Sequence, residues 1–361
     1  MTARRPNTLL RAAALLLAAT LLAGCQDDGG GPKALAPVPP KLVAKMDKLG
    51  MSETSPVYMR VFKEESELEV WKQRKDGQYA LLVSYPICKW SGKLGPKIKE
   101  GDRQAPEGFY TVTPGQMNPN SSYYLSFNIG YPNAYDRAYG RTGSNLMVHG
   151  ACSSAGCYSM TDQAAGEIYS LARDALRGGQ RAFEVHAFPF KMTAENLARH
   201  ADDPNMPFWQ RLREGYNHFE VTRKVPAVSV CGKDYKFDAD FAGKTPSAAA
   251  PCPAYTVPEW IEAGVKQKQA AEDIEIAALV EKAKEKAVAD AKKAAEEAER
   301  AQASAPAPGP ELAVVKGEPA PGVPLPAPSP VRATAPVQAY QPAAPQEPGL
   351  LERLKRRLPW G

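Results

Sequence analysis

Residues 147–162 read MVHGACSSAGCYSMTD, which sets His149 eight positions ahead of Cys157 and surrounds that cysteine with small residues. A thiol attacking an acyl carbon must lose its proton, and a free thiol with a pKa of about 8.5 needs a neighbouring imidazole or a fixed dipole to do so near neutral pH. His149 is placed to act as that base. The segment Ser154-Ala155-Gly156-Cys157 puts little side chain beside the sulfur, so backbone N–H groups can approach a developing oxyanion. Two plainer readings stand beside this one. The first is a buried core thiol next to a satisfied imidazole. The second is a metal site built on His149, Cys152 and Cys157, but a closed zinc site needs four ligands and no fourth is paired nearby. No metal and no cofactor are therefore expected.

The start of the chain bears on compartment. Residues 1–11 hold three arginines and no acid, residues 12–22 are apolar, and Leu22-Ala23-Gly24-Cys25 follows. The pattern is that of a lipoprotein signal peptide over residues 1–24, with Cys25 as the lipidated first mature residue. The apolar run is too short for a permanent span. An ordinary cleaved signal is the plainer alternative. The resemblance to bacterial lipoproteins, with Gln26 rather than Asp after Cys25, implies a periplasmic location in a Gram-negative bacterium, lipid-anchored at the outer membrane. Thiols outside the cytosol tend to oxidise. Of the six cysteines, Cys231 and Cys252 suit a disulfide closing a surface loop. Cys88 and Cys152 are left to pair or to stay buried and reduced, and Cys157 is the odd thiol.

Composition divides the rest. Residues 25–55 are rich in Gly, Pro, Lys and Ala and read as a lipidated cysteine with a flexible tether spanning about 30 Å. Strand character begins near Pro56, over residues 58–62, 68–71 and 79–85, and again over 108–113, 123–129, 146–149 and 182–188. Residues 161–176 have helical spacing with Thr161 or Asp162 as cap. Short helices are expected over 194–200 and 207–214.

Three strings carry a family resemblance over about a third of the chain: YPICKWSGKLGPKIKEGDRQAPEGFYTV (85–112), FNIGYPNAYDRA (127–138) and residues 147–162. In order and spacing they resemble the L,D-transpeptidase catalytic domain of the YkuD type, and within it most resemble the YafK branch. The resemblance implies a β-rich α+β fold of mixed sheets with a few helices, the catalytic domain covering residues 56–190. It also implies action on peptidoglycan stem peptides at an L,D bond of meso-diaminopimelate, through a thioester that an amine or water resolves. Carried onto this sequence, Cys157 is the nucleophile and His149 the base. The Gly150 carbonyl orients the imidazole, and Ser154, Gly156 and Cys157 line the oxyanion site. Most of the family has a His before the Gly-Cys pair and an Arg soon after. Here Ala155 precedes Gly156 and Tyr158-Ser159-Met160 follow, which leaves Arg103, Arg137 and Tyr158 as candidate substrate-binding residues.

Beyond the catalytic region, residues 191–258 read as a helical extension with the disulfide loop, and residues 259–303 as a charged Ala/Lys/Glu helix, exposed and about 65 Å long. Residues 304–349 form a Pro/Ala-rich disordered linker, and residues 350–361 a basic amphipathic terminus. The net charge of +5 is small, and neither a phosphate-binding loop nor a nucleic-acid module is present, so no nucleic-acid partner is expected. The expected partners are stem peptides, a wall-linked lipoprotein and, through the N-terminal lipid, a membrane. Three functions follow: a transpeptidase, a hydrolase releasing wall-bound lipoprotein through the same thioester, and an inactive wall-binding lipoprotein.

Overall fold

The first three strands, consecutive in sequence, form a meander. Strands β1 (Val57–Phe62), β2 (Glu67–Gln73) and β3 (Tyr79–Pro86) pair antiparallel, and every residue of β1 is buried, as expected for a strand covered on two sides. The computed structural model describes residues 32–304. In it β4 (Gly108–Val112) and β9 (Phe183–Phe188) complete a five-stranded sheet in the order β3-β2-β1-β9-β4, with β9 parallel to β1 and antiparallel to β4.

A second, four-stranded sheet is made of very short strands in the order β5-β6-β7-β8: Met117–Asn118, Ser126–Asn128, Met147–His149 and Tyr158–Ser159. The five-residue helix α2 (Ala134–Ala138) lies between β6 and β7. Helix α3 (Asp162–Arg177) packs against both sheets, burying Ile168, Leu171, Ala172 and Ala175. Thr161 caps it, its hydroxyl accepting the Ala164 N–H at 3.1 Å, which satisfies one of the free donors of the first turn.

On the other side of the five-stranded sheet lie α4 (Ala194–Arg199), α5 (Met206–Thr222) and a hairpin of β10 (Val228–Cys231) and β11 (Asp234–Phe237). Their Trp209, Leu212, Tyr235 and Phe237 share one aromatic cluster with Phe62, Phe109 and Phe188 of the sheet. Residues 56–190 and 191–258 are therefore not separate layers of organisation, because the extension completes the hydrophobic cover of β1, β4 and β9. The hairpin is an element the sequence reading lacked. The Cys231–Cys252 disulfide spans from its turn to the following loop.

Two expectations are corrected. Residues 25–55 do not form a tether in their described part. A 3-10 turn (Lys33–Leu35) and helix α1 (Pro40–Leu49) are docked on the domain, with Val38, Leu42, Met46 and Met51 in the main core. Leu42 and Met46, one turn apart, form the buried stripe of this helix, hidden among lysines, and Val38 enters the core from the segment before it. Pro40 starts the helix where a missing N–H costs nothing, and Gly50, at φ 70°, ends it. Nor is the long helix α6 (Glu259–Ala303) exposed throughout. Ile261 and Val265 are buried, and Arg213 of α5 reaches Glu272 at 2.8 Å and Asp273 at 2.6 Å. The described residues up to Glu299 form one compact unit. The expected signal peptide over residues 1–24, Cys25 and the segments 305–349 and 350–361 lie outside the described residues.

Buried charges fix the loop between β3 and β4, which borders the site. The Lys63 ammonium donates to the Lys93, Gly95 and Ala105 carbonyls and to Glu107 Oε1 at 2.7–3.1 Å. Trp209 Nε1 donates to the other Glu107 oxygen at 2.8 Å. Full hydrogen bonding of this kind is what makes such an ion pair tolerable inside a protein.

Candidate active site

The strands β5 to β8 divide their side chains between two environments. Their registers place Met117, Phe127, Val148 and Tyr158 side by side on one face, and Asn118, Ser126 and His149 on the other. The first row packs into the main core. The second lines a cavity of about 270 Å³, together with Met147, Asn145 and Cys157 and the Ser121-Ser122-Tyr123 turn. Because successive strand residues point to opposite faces, Met147 and His149 are presented together. Cys157, one position before β8, falls opposite Met147.

Cys157 is the free cysteine among the described residues. Its sulfur accepts the Met147 N–H at 3.4 Å and lies 3.7 Å from the Asn145 carbonyl. The loop before it is held at several points. Ala151 and Cys152 are left-handed, at φ 65° and 43°. The Ala151 N–H donates to Asp162 at 2.7 Å, and the Cys152 N–H to the Met160 carbonyl at 3.1 Å. A disulfide joins Cys152 to Cys88 at the end of β3, so this pair is structural and Cys157 is left for chemistry. Gly156 has φ 134°, a conformation that L side chains rarely adopt.

His149 is buried, and its Nδ1 lies 2.6 Å from the Gly150 carbonyl. The carbonyl can only accept, so Nδ1 carries the proton and Nε2 keeps its lone pair. Gly150 itself is required by crowding: a Cβ there would sit 2.5 Å from Asp162 Oδ1. The Tyr123 ring stands 4.9 Å from the imidazole and walls the cavity.

Burial pushes the Cys157 thiol above its ordinary range, against the opposing pull of the Met147 N–H and the Lys97 charge. Burial likewise lowers His149, with the Gly150 carbonyl working the other way. Both shifts favour neutral groups. The environment thus favours thiol and imidazole over thiolate and imidazolium, an arrangement in which the sulfur could react only as its proton passed to a base.

Lys97 was not singled out in the sequence, where it is one of several lysines in the KIKEGD region. In the structure its side chain is 5% exposed and bonds Asp102 at 2.5 Å and the Lys99 carbonyl at 2.9 Å. Burial raises the Asp102 carboxyl, but Lys97 and the N–H groups of Lys99, Gln104 and Ile98 outweigh it and hold the pKa down to about 2. Asn118, Asn145 and Ser126 were also missed; polar residues of these types carry no signal until strand pairing brings them together.

Several expected site residues lie elsewhere. Tyr158 does not line the cavity: it belongs to the core-facing row, is 1% exposed and donates its hydroxyl to the Pro106 carbonyl. Arg137 is exposed on α2 with its guanidinium on the Pro132 carbonyl. Arg103 is exposed too, and its backbone carbonyl carbon comes near Gly156. Neither arginine lines the cavity, since helix α2 and the β3–β4 loop turn them to solvent. Ser154 and Gly156 hold the loop rather than face the cavity: Ser154 Oγ donates to the Cys157 carbonyl at 2.6 Å and accepts the Gly156 N–H at 3.3 Å. No cluster of His, Cys, Asp and Glu fit for a metal occurs among the described residues.

The sequence profile described as the YkuD L,D-transpeptidase catalytic domain matches residues 57–180. YafK of Escherichia coli strain K12, provisionally named an L,D-transpeptidase, is 50% identical over 181 residues, covering 50% of this chain and 73% of that protein. Among solved structures, the helical cell shape determining protein Pgp2 from Campylobacter jejuni aligns at 19% identity and a TM-score of 0.31, over 52% of this chain and 79% of that one. Bd1075 from Bdellovibrio bacteriovorus aligns at 22% identity and a TM-score of 0.27, over 47% and 61%. The match to the catalytic profile, together with a relative half identical over most of its length, establishes that the chain belongs to the YkuD-type L,D-transpeptidase family.

Proposed function

We propose that the protein is a peptidoglycan-modifying acyl transferase that works through a thioester on Cys157, with His149 as general base. The observation that carries this reading is the pairing, in one cavity, of a free thiol with an imidazole whose Nδ1 is tied to a carbonyl. His149 Nε2 takes the thiol proton as sulfur attacks the carbonyl carbon of an L,D bond at meso-diaminopimelate. The tetrahedral intermediate then collapses, the C–N bond breaks, and the leaving amine takes the proton from His149. In the second half the acceptor, an amine or water, gives its proton to His149 as it attacks the thioester. The C–S bond breaks and Cys157 recovers its proton. The Met147 N–H and the Lys97 charge favour the thiolate as it forms.

On the same footing we place the protein in the periplasm, anchored through Cys25. Support comes from the arginine-containing start, the short apolar run and the Leu22-Ala23-Gly24-Cys25 string. The test of function is mass spectrometry of muropeptides after incubation with sacculi, with and without bound lipoprotein. New links between two diaminopimelate residues identify an amine acceptor, and loss of lipoprotein-derived remnants identifies water. Profiles unchanged in both would refute the enzymatic reading.

A further inference from the structure

The floor of the cavity contains a polar atom for which the fold supplies no partner. Ser126, on β6, is 3% exposed, yet its hydroxyl makes no hydrogen bond. It stands between Asn118 and His149 across the sheet, all three on the cavity face. A buried hydroxyl that gains nothing from the protein has given up water for no return, and such groups call for an explanation. Packing supplies none, because the core needs the opposite face of β6, where Phe127 points.

The chemistry around it is uniform. Apart from His149 itself, the residues lining the cavity carry no charge, and the polar ones offer hydroxyls and amides. The two exposed arginines that the sequence suggested for carboxylate recognition stand outside it. A wall of this kind suits a neutral peptide group, which it meets with hydrogen bonds of matching strength.

We propose that Ser126 is a substrate-binding residue whose hydroxyl, turned from its covered position into the cavity by rotation about χ1, donates to a main-chain carbonyl of the acyl-donor peptide beside the scissile bond, so that this subsite reads an amide and not a carboxylate. The inference rests on the acyl-transfer reading and adds to it how the donor is held. It also accounts for the unpaired state of the hydroxyl, which is kept vacant for the ligand at some expense to the free protein.

The test uses the full chain with Cys157→Ala to stop turnover, and a soluble stem tetrapeptide containing meso-diaminopimelate as the probe. Dissociation constants are measured calorimetrically with and without Ser126→Ala, beside the thermal midpoint of each protein. Loss of one neutral hydrogen bond predicts binding weaker by about tenfold, with a midpoint equal to or above that of the parent. A neutral subsite further predicts that raising salt changes both affinities alike. Equal affinity in the two proteins overturns the assignment, as does a lowered midpoint, which would mean that the hydroxyl bonds within the fold. Absence of binding by either protein overturns the acyl-transfer reading and this inference with it.

Discussion

Replacing Gly156 by alanine tests whether the backbone ahead of the sulfur is held in its observed form for a chemical reason. The new methyl group itself fits: its nearest neighbours are Leu146 Cδ1 at 3.5 Å and the Gln104 carbonyl oxygen at 3.8 Å. The obstacle is φ, at 134°, where an L residue is strained by about 1–3 kcal/mol. The loop has two ways to respond. It can keep its shape and lose that much stability, or it can rotate the peptide and move Cys157 away from the Met147 N–H. A domain stable by about 5–15 kcal/mol stays folded in either case, so lost turnover reports local geometry rather than unfolding. A displacement near 1 Å lowers the rate by about 100-fold. Either urea unfolding should show a loss within that range with turnover kept, or stem-peptide turnover should fall by about two orders of magnitude as the loop relaxes. Gly115→Ala, where φ is not positive and the Cβ meets nothing within 4 Å, should leave both nearly unchanged. Wild-type stability and turnover in Gly156→Ala would refute the argument.

The charge states predict the pH behaviour. Because burial raises the Cys157 thiol, iodoacetamide alkylation should rise with pH about a midpoint above the ordinary thiol value of about 8.5; a midpoint well below it would indicate a preformed ion pair. Lys97→Met removes the nearby cation, so that midpoint should move further up while the far-UV circular dichroism stays that of the parent; an unmoved midpoint would remove Lys97 from the site. Truncation after Val280 should leave thermal stability unchanged, since the side chains of residues 281–301 are exposed. Truncation after Pro258, by contrast, strips Ile261 and Val265 from the fold and should cost about 3 kcal/mol or more, measured by urea unfolding.

The sequence was most legible where chemistry and backbone constraint coincide. Residues 147–162 hold a histidine, a cysteine and the glycine that the turn before the sulfur requires, and together with two further strings they pointed to the family. Long elements with a clear period, such as β1–β3 and α3, were also readable. The second sheet was harder, because its strands run only two or three residues and such lengths cannot display alternation. Asn118 and Ser126 become neighbours of His149 only through strand pairing, which sequence spacing does not encode. Tyr158 was misplaced for the same reason: adjacency to Cys157 in sequence puts it on the opposite face. The segment 25–55 was misread because composition was weighed over the four-residue spacing of Leu42 and Met46. The hairpin of β10 and β11 was legible but passed over: Val228, Val230, Tyr235 and Phe237 alternate with other residues about a two-residue Gly232-Lys233 turn, and the cysteines drew the reading to a disulfide loop instead.

The central claim is that the acyl group passes through the sulfur of Cys157, activated by His149. Intact-protein mass spectrometry after rapid acid quenching of the protein mixed with stem peptide tests it most directly. The account predicts a stem-peptide adduct, mapped by digestion to Cys157, that is absent in Cys157→Ala and accumulates at least about 100-fold more slowly in His149→Ala. An adduct on another residue, or wild-type turnover by Cys157→Ala, would contradict it.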